Sequence, residues 1–112
     1  MCRVAPPVFP LLLALSAAGV AAAQEPPTWR RAELVSQVRN DCGSCHGMRL
    51  TGGLGPPLTR EALADKPVPS LAATIYHGRA GTPMPGWRSL LSEAEAHWIA
   101  EQLVSGFPET AK

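Results

Sequence analysis

Neither sign of charge dominates this sequence: ten Lys and Arg face nine Asp and Glu, a net charge of +1. Without a basic footprint, nucleic acid is excluded as a partner. No long unit recurs along the chain, which excludes a solenoid. No stretch alternates apolar and polar residues with period two, so nothing supports strands. Cysteine is scarce as well, three residues in 112, too few for the disulfide scaffold of a small exported domain. Charged residues reach only 17% of the chain, below the globular norm of about 25%. Apolar residues nonetheless make up 46%, which argues against a disordered chain, and the length admits one domain.

Part of that apolar content sits at the start. Met1-Cys2-Arg3 is weakly positive, residues 8–20 are apolar but for Pro10, Ser16 and Gly19, and Ala21-Ala22-Ala23 follows. A short apolar run ending in small residues is the pattern of a secretory signal. It falls short of the ~20 residues of a membrane helix, so a retained anchor is disfavoured. The expectation is a signal at residues 1–23, removed after Ala23, and one domain over residues 24–112. Cys2 precedes the apolar run and is no lipidation site at the cleavage point. Loss of Arg3 leaves the remaining charges balanced, and only Cys42 and Cys45 survive. A domain of this size has a marginal core, so something else should complete it.

Past the stiff Glu25-Pro26-Pro27 leader, Thr28 is placed to cap a helix starting at Trp29. Ala32, Leu34, Val35 and Val38 would form its apolar face, and the helix should end near Asn40-Asp41. Residues 51–58 are too rich in Gly and Pro for regular structure. Ser70 is placed to cap a second helix through Leu71, Ile75 and Tyr76, stopped by Gly78. Residues 79–88 are again irregular. Ser92 and Glu95 have capping-box spacing and open a helix with Ala96, Ile99 and Leu103 on one face, ended by Gly106 and Pro108. The outline is a small all-α domain with two Gly/Pro-rich loops.

The chemistry is concentrated in Cys42-Gly43-Ser44-Cys45-His46-Gly47. Two cysteines three apart, followed at once by histidine, can bind a porphyrin through two thioethers, with the imidazole as axial ligand of the iron. Covalent attachment would keep the cofactor on an exported protein and supply the missing core. A redox dithiol would need a βαβ setting. Zinc would need two further ligands; His77 and His97 are available, but there is no second cysteine pair. A plain disulfide leaves His46 without a reason. Haem c is therefore the expected cofactor.

The sixth iron ligand separates electron transfer from other chemistry. Met48 lies too close to His46 to reach the opposite haem face. His97 reads as a solvated helical histidine, and His77, at a helix end, is a weaker rival. Met84 stands between Pro83 and Pro85, whose rings restrict the backbone and can hold a thioether toward a fixed point. It is the expected ligand, with His46 opposite. A His/Met pair fills the iron, raises its potential and leaves no open position, which points to a one-electron carrier rather than an enzyme.

These residues resemble the class I cytochromes c over nearly the whole chain after the signal. The first helix, the Cys42 to Gly47 cluster, the Gly55-Pro56-x-Leu58 loop, the Met84-Pro85 loop and the Ser92 helix carry the likeness. The resemblance implies a small helical domain wrapped around one haem, with the Pro56 carbonyl accepting a hydrogen bond from His46. It also implies that the first and last helices cross, Val35 and Val38 facing Ile99 and Leu103. The aromatic common just before the last leucine is Gln102 here, and Trp98 lies one turn earlier. More narrowly, Leu50-Thr51-Gly52-Gly53-Leu54-Gly55-Pro56 and Gly81-Thr82-Pro83-Met84-Pro85-Gly86-Trp87 resemble the small periplasmic cytochromes encoded beside cytochrome cd-type nitrite reductase in denitrifying bacteria.

That likeness implies electron donation to the reductase, or a part in maturing its special haem. It also implies a periplasmic location and a dedicated haem-attachment machinery. A terminal oxidase or other periplasmic oxidoreductase is the alternative partner, and a haem with a labile sixth position the alternative chemistry. The expected docking surface is an apolar patch at the haem edge formed by residues 52–54 and 83–87, rimmed by Arg49, Arg79 and Arg88. Trp87 covers a haem edge or packs in the core.

Overall fold

The computed structural model describes residues 1–5, 7 and 25–108. Most of the signal expected over residues 1–23, including its cleavage point after Ala23, falls outside them. The described residues form helices α1 (Thr28–Gln37), α2 (Gly43–His46), α3 (Val68–His77) and α4 (Glu93–Val104), with a π-helical turn (Val38–Cys42) joining α1 to α2. No strand occurs among them.

The helix starts depart from expectation in the same way twice. Pro27, not Thr28, caps α1, and Pro67, not Ser70, caps α3. In each case the proline carbonyl accepts from the amides of the third and fourth helical residues: Arg30 and Arg31 at 2.9 and 3.0 Å, and Ser70 and Leu71 at 3.1 and 3.2 Å. Proline suits this entry because its fixed φ is compatible with the first turn, where N–H groups have no helical partner anyway. Pro69 fits inside the first turn of α3 for the same reason. The α4 start is the expected one: the Ser92 hydroxyl accepts from the Glu95 amide at 3.1 Å, and Glu95 Oε2 accepts from the Ser92 amide at 2.9 Å.

The first helix does not stop near Asn40-Asp41. It widens into the π turn, whose Gly43 amide reaches back to Val38 O, and then continues to His46. The added residue carries the chain through Asn40 and Asp41 without a break. At the far end Gly78, with φ of 74°, closes α3 as expected, its amide donating to Thr74 O.

One apolar cluster holds the elements together. Leu34, Val35 and Val38 join Ala72 and Ile75 of α3 and Leu91, Ala96, Trp98, Ile99, Ala100 and Leu103 at and within α4. The expected faces are thus found inside, except that Ala32 is exposed. Trp98, the departure from the family pattern, is buried in this core. Leu50 and Leu63, from irregular segments, complete it. Each Leu, Ile or Val side chain among them contributes about 1.5–3 kcal/mol on full burial. Helices α3 and α4 pack directly on one another.

Two polar clamps tie the beginning of the fold to its end. Arg30 Nε donates to Glu95 Oε1 at 2.6 Å and Arg30 Nη2 donates to Leu90 O at 3.2 Å, joining α1 to the start of α4. Arg39, on the π turn, donates to Pro108 O at 2.7 Å and lies 5.3 Å from the Phe107 ring, a cation–π distance. No described helix is long and apolar enough to cross a membrane.

Candidate haem site

Cys42 closes the π turn, and Cys45 and His46 end α2. Three residues along a helix bring side chains to one face, so the two thiols share a side. Neither is in a disulfide. Cys42 is half-buried against the core and Cys45 is exposed. Burial, with Asp41 adding to it, pushes the Cys42 thiol up to about 11. At neutral pH it is uncharged, as suits a sulfur that ends as a neutral thioether.

A helix end leaves carbonyls unpaired, and here the Gly-rich loop supplies their donors. Gly55 N donates to Cys45 O and Gly52 N to His46 O, both at 2.8 Å, while Leu58 N donates to Leu50 O. Leu50, buried to 2% with φ of 58°, anchors the start of this loop. The left-handed conformation costs about 1–2 kcal/mol for such a residue; its burial and two backbone bonds hold it there.

The loop in turn fixes the imidazole. His46 Nδ1 lies 2.7 Å from Pro56 O. A carbonyl oxygen only accepts, so Nδ1 carries the proton and Nε2 keeps its lone pair for a metal. A hydrogen bond on the far nitrogen orients the ring and raises its basicity. Gly55 packs directly beneath: a Cβ there would stand 2.7 Å from both Cε1 and Nδ1. The free thiol pair, the imidazole with one open nitrogen and the glycine cradle fit a covalently attached haem.

The remaining candidates for the iron fall in different places. Met84 is half-buried in the loop after α3, its amide donating to Thr82 Oγ1 at 3.3 Å and its carbonyl accepting from Arg79 N at 3.2 Å. Met48 is 63% exposed and packs beside Gly43. His77 stands edge-on to Tyr76, centroids 4.9 Å apart, and His97 Nδ1 lies 3.5 Å from Glu101. Both histidines line an open cavity of about 250 Å³ between α3 and α4. Among the described residues no three His, Cys, Asp or Glu groups converge on a point, so the zinc alternative finds no ligand set. Trp87 packs against the core.

Sequence reasoning missed two features. One is the π turn, which no residue pattern announces. The other is the support from Leu50, whose burial depends on the loop closing over α2; the only sign of it was an apolar residue beside a Gly-rich stretch.

A helical Cys-x-x-Cys-His turn with a carbonyl-oriented histidine has the form of a c-type haem attachment site. Residues 21–102 match the family model for cytochrome c oxidase, cbb3-type, subunit III, and the chain belongs to this family of c-type cytochromes. Cytochrome c55X of Stutzerimonas stutzeri is 53% identical over 102 residues, covering 91% of this chain and 82% of the relative. The solved structure of the c-type cytochrome NirC superposes with a TM-score of 0.70 at 54% identity, over 71% of this chain and 94% of that one. Dihydro-heme d1 dehydrogenase NirN in complex with DHE gives a TM-score of 0.59 at 32% identity, but only 16% of that chain takes part. The resemblance to the small cytochromes associated with nitrite reductase is met, as is the helical cytochrome c fold. The cofactor is a covalently bound c-type haem with iron, and the protein is an electron carrier.

Proposed function

We propose that residues 1–23 direct the chain to the periplasm and are removed, and that residues 24–112 act there as a one-electron donor to cytochrome cd-type nitrite reductase. Cys42 and Cys45 hold the haem through thioethers made by the attachment machinery, and His46 and Met84 hold its iron. The bound haem supplies an iron couple that takes up and releases one electron. The 2.7 Å contact from His46 Nδ1 to Pro56 O supports the haem ligation, leaving Nε2 as the ligating atom, and the likeness to cytochrome c55X and NirC supports the partner.

The chain's own residues do the rest. Pro56 holds the proton-bearing side of the ring, so His46 does not change tautomer as the charge on the metal changes. Pro83 and Pro85 restrict the backbone on both sides of Met84, favouring a ligand retained in both redox states. Thioether ligation together with imidazole would favour the reduced form, as suits a donor, and with His46 and Met84 both holding the iron the haem would carry an electron without binding a substrate.

The test is to mix the reduced holoprotein with cytochrome cd-type nitrite reductase and nitrite and to follow haem oxidation. Oxidation at the rate of enzyme turnover is expected. Negligible oxidation with an intact six-coordinate spectrum would remove this partner and leave the carrier chemistry.

The region shared with the dihydro-heme d1 dehydrogenase favours a second reading, a part in maturing the reductase's haem. A dehydrogenation releases two electrons, which two molecules of a one-electron carrier would take up. Reduction of the oxidised holoprotein by that dehydrogenase and its dihydro substrate, under anaerobic conditions, would support it. A spectrum that stays oxidised would dismiss it.

A further inference from the structure

We propose that Gly78 and Gly86, pressed back to back, and Thr82 between them form a clasp that keeps Met84 in place. They are positioning residues that set how often the methionine leaves the iron. The proposal rests on Met84 being the sixth ligand, as proposed above.

The loop carrying Met84 has little with which to hold itself. Pro83 and Pro85 have no N–H, so of these three residues only the Met84 amide can donate, and it goes to Thr82 Oγ1 at 3.3 Å. Fastening must come from outside the Pro-Met-Pro segment. The structure shows where. Arg79 N, just past the Gly78 cap of α3, donates to Met84 O at 3.2 Å, and Trp87 N donates to Ile75 O in the last turn of α3 at 3.0 Å, so the loop is closed on itself and tied to the helix end. The Thr82 hydroxyl donates to Arg79 O at 2.8 Å, bracing the loop from within.

The two strands of this clasp meet at glycine. A Cβ on Gly78 would lie 2.6 Å from Gly86 N, 2.7 Å from Pro85 C and 2.8 Å from Met84 O. A Cβ on Gly86 would lie 2.8 Å from His77 C and O and 2.9 Å from Tyr76 O. Every one of these atoms is backbone, so no side chain can rotate away, and normal carbon contacts are about 3.5–4.0 Å. Gly78 also has φ of 74°, a conformation natural to glycine. Any methyl group at either position must lever the loop off the end of α3. Met84 O is itself one of the atoms struck, so the displacement falls on the ligand's own peptide.

The clasp is made of loop backbone and the Thr82 hydroxyl, with Gly86 and Thr82 exposed, and it meets the core at the Trp87–Ile75 tie. Loosening it should free Met84 before it melts the core.

The experiment compares holoprotein variants Gly86→Ala, Gly78→Ala, Thr82→Val, Thr82→Ser and Met84→Ala. Three readouts are needed: the methionine-to-iron charge-transfer band of the oxidised form, the rate of carbon monoxide binding by the reduced form, and the thermal midpoint. Gly86→Ala is expected to weaken the band and raise the carbon monoxide rate roughly tenfold or more, in step with the fraction of molecules in which Met84 is off the iron. Thr82→Val, which introduces no clash, should raise the rate several-fold, and Thr82→Ser should restore it. If the glycine variants fail to fold, the threonine pair decides alone. Lower midpoints with an unchanged band and rate, while Met84→Ala opens the site, would overturn the clasp and spare the ligand assignment. An unchanged spectrum in Met84→Ala would overturn both.

Discussion

A histidine offers an iron two chemically different nitrogens, and in this chain one backbone oxygen decides between them. Because Pro56 O accepts the Nδ1 proton at 2.7 Å, only Nε2 remains, and the ring is held at a fixed angle. Gly55 makes that approach possible, since any Cβ there would collide with the ring at 2.7 Å. The expected outcome of Gly55→Ala is a displaced imidazole with a weakened Pro56 bond, a less basic ligand and hence a raised reduction potential, measured by redox titration. An unaltered potential would show that the ring does not depend on this cradle. The thiols differ in the same local manner. Cys42 is raised to about 11 by burial, whereas Cys45 is exposed.

Among the helices, α4 is the one whose start is most firmly built. Ser92 and Glu95 satisfy each other's amides, and replacing Ser92 by Ala should cost about 1 kcal/mol, seen as a lower denaturation midpoint. Glu95 has a second task. The Arg30 guanidinium bonded to it holds its carboxyl below the usual carboxylate range, with the Ser92 backbone amide helping. A depressed acid contributes stability that is present above its unfolded value, about 4.3, and lost as pH falls through the folded value. Acid unfolding should therefore begin as pH drops below that of a free glutamate. In Glu95→Gln the thermal midpoint should be lower at neutral pH and flatter through the acid range. Parallel curves for the two proteins would assign the acid transition to another group.

Across the molecule, one small core joins α1, the π turn, α3, α4 and the intervening loops, so damage at its centre should be global. Leu34 and Ile99, from α1 and α4, are buried to 0% and 2%. Truncating either to Ala should cost about 2–5 kcal/mol, a large share of the total for a domain of this size. The surface shows the opposite economy. Met48 and Leu54, 63% and 96% exposed, flank the attachment turn and its loop, while the charges of residues 24–112 balance. Electron transfer to the proposed partner should then depend only weakly on ionic strength, since screening acts on charge and not on apolar contact. A steep fall in turnover with added salt would point to charge-guided docking through Arg49, Arg79 and Arg88 instead.

What could be read along the chain were the features whose partners lie a few residues apart. The Cys42-x-x-Cys45-His46 turn, the Ser92–Glu95 capping box, the glycine stop at Gly78 and the apolar spacing of Leu34, Val35, Val38, Ala96, Ile99 and Leu103 all follow from near-neighbour geometry, and these already implied a helical, haem-binding domain. Tertiary structure alone decided the rest. The helix joining α1 to His46 stays unbroken because a π turn absorbs Asn40 and Asp41, and two helices begin after prolines with no side-chain cap where a hydroxyl was expected. Leu50 and Leu63 enter the core from segments without periodicity. His77 and His97 share a cavity between α3 and α4 that no spacing rule foretells. Gly78 and Gly86 touch because α3 and the loop after it are folded onto one surface, with Trp87 held by Ile75. Residues far apart in sequence meet only when the whole core has closed, and close packing then dictates which atoms each will touch.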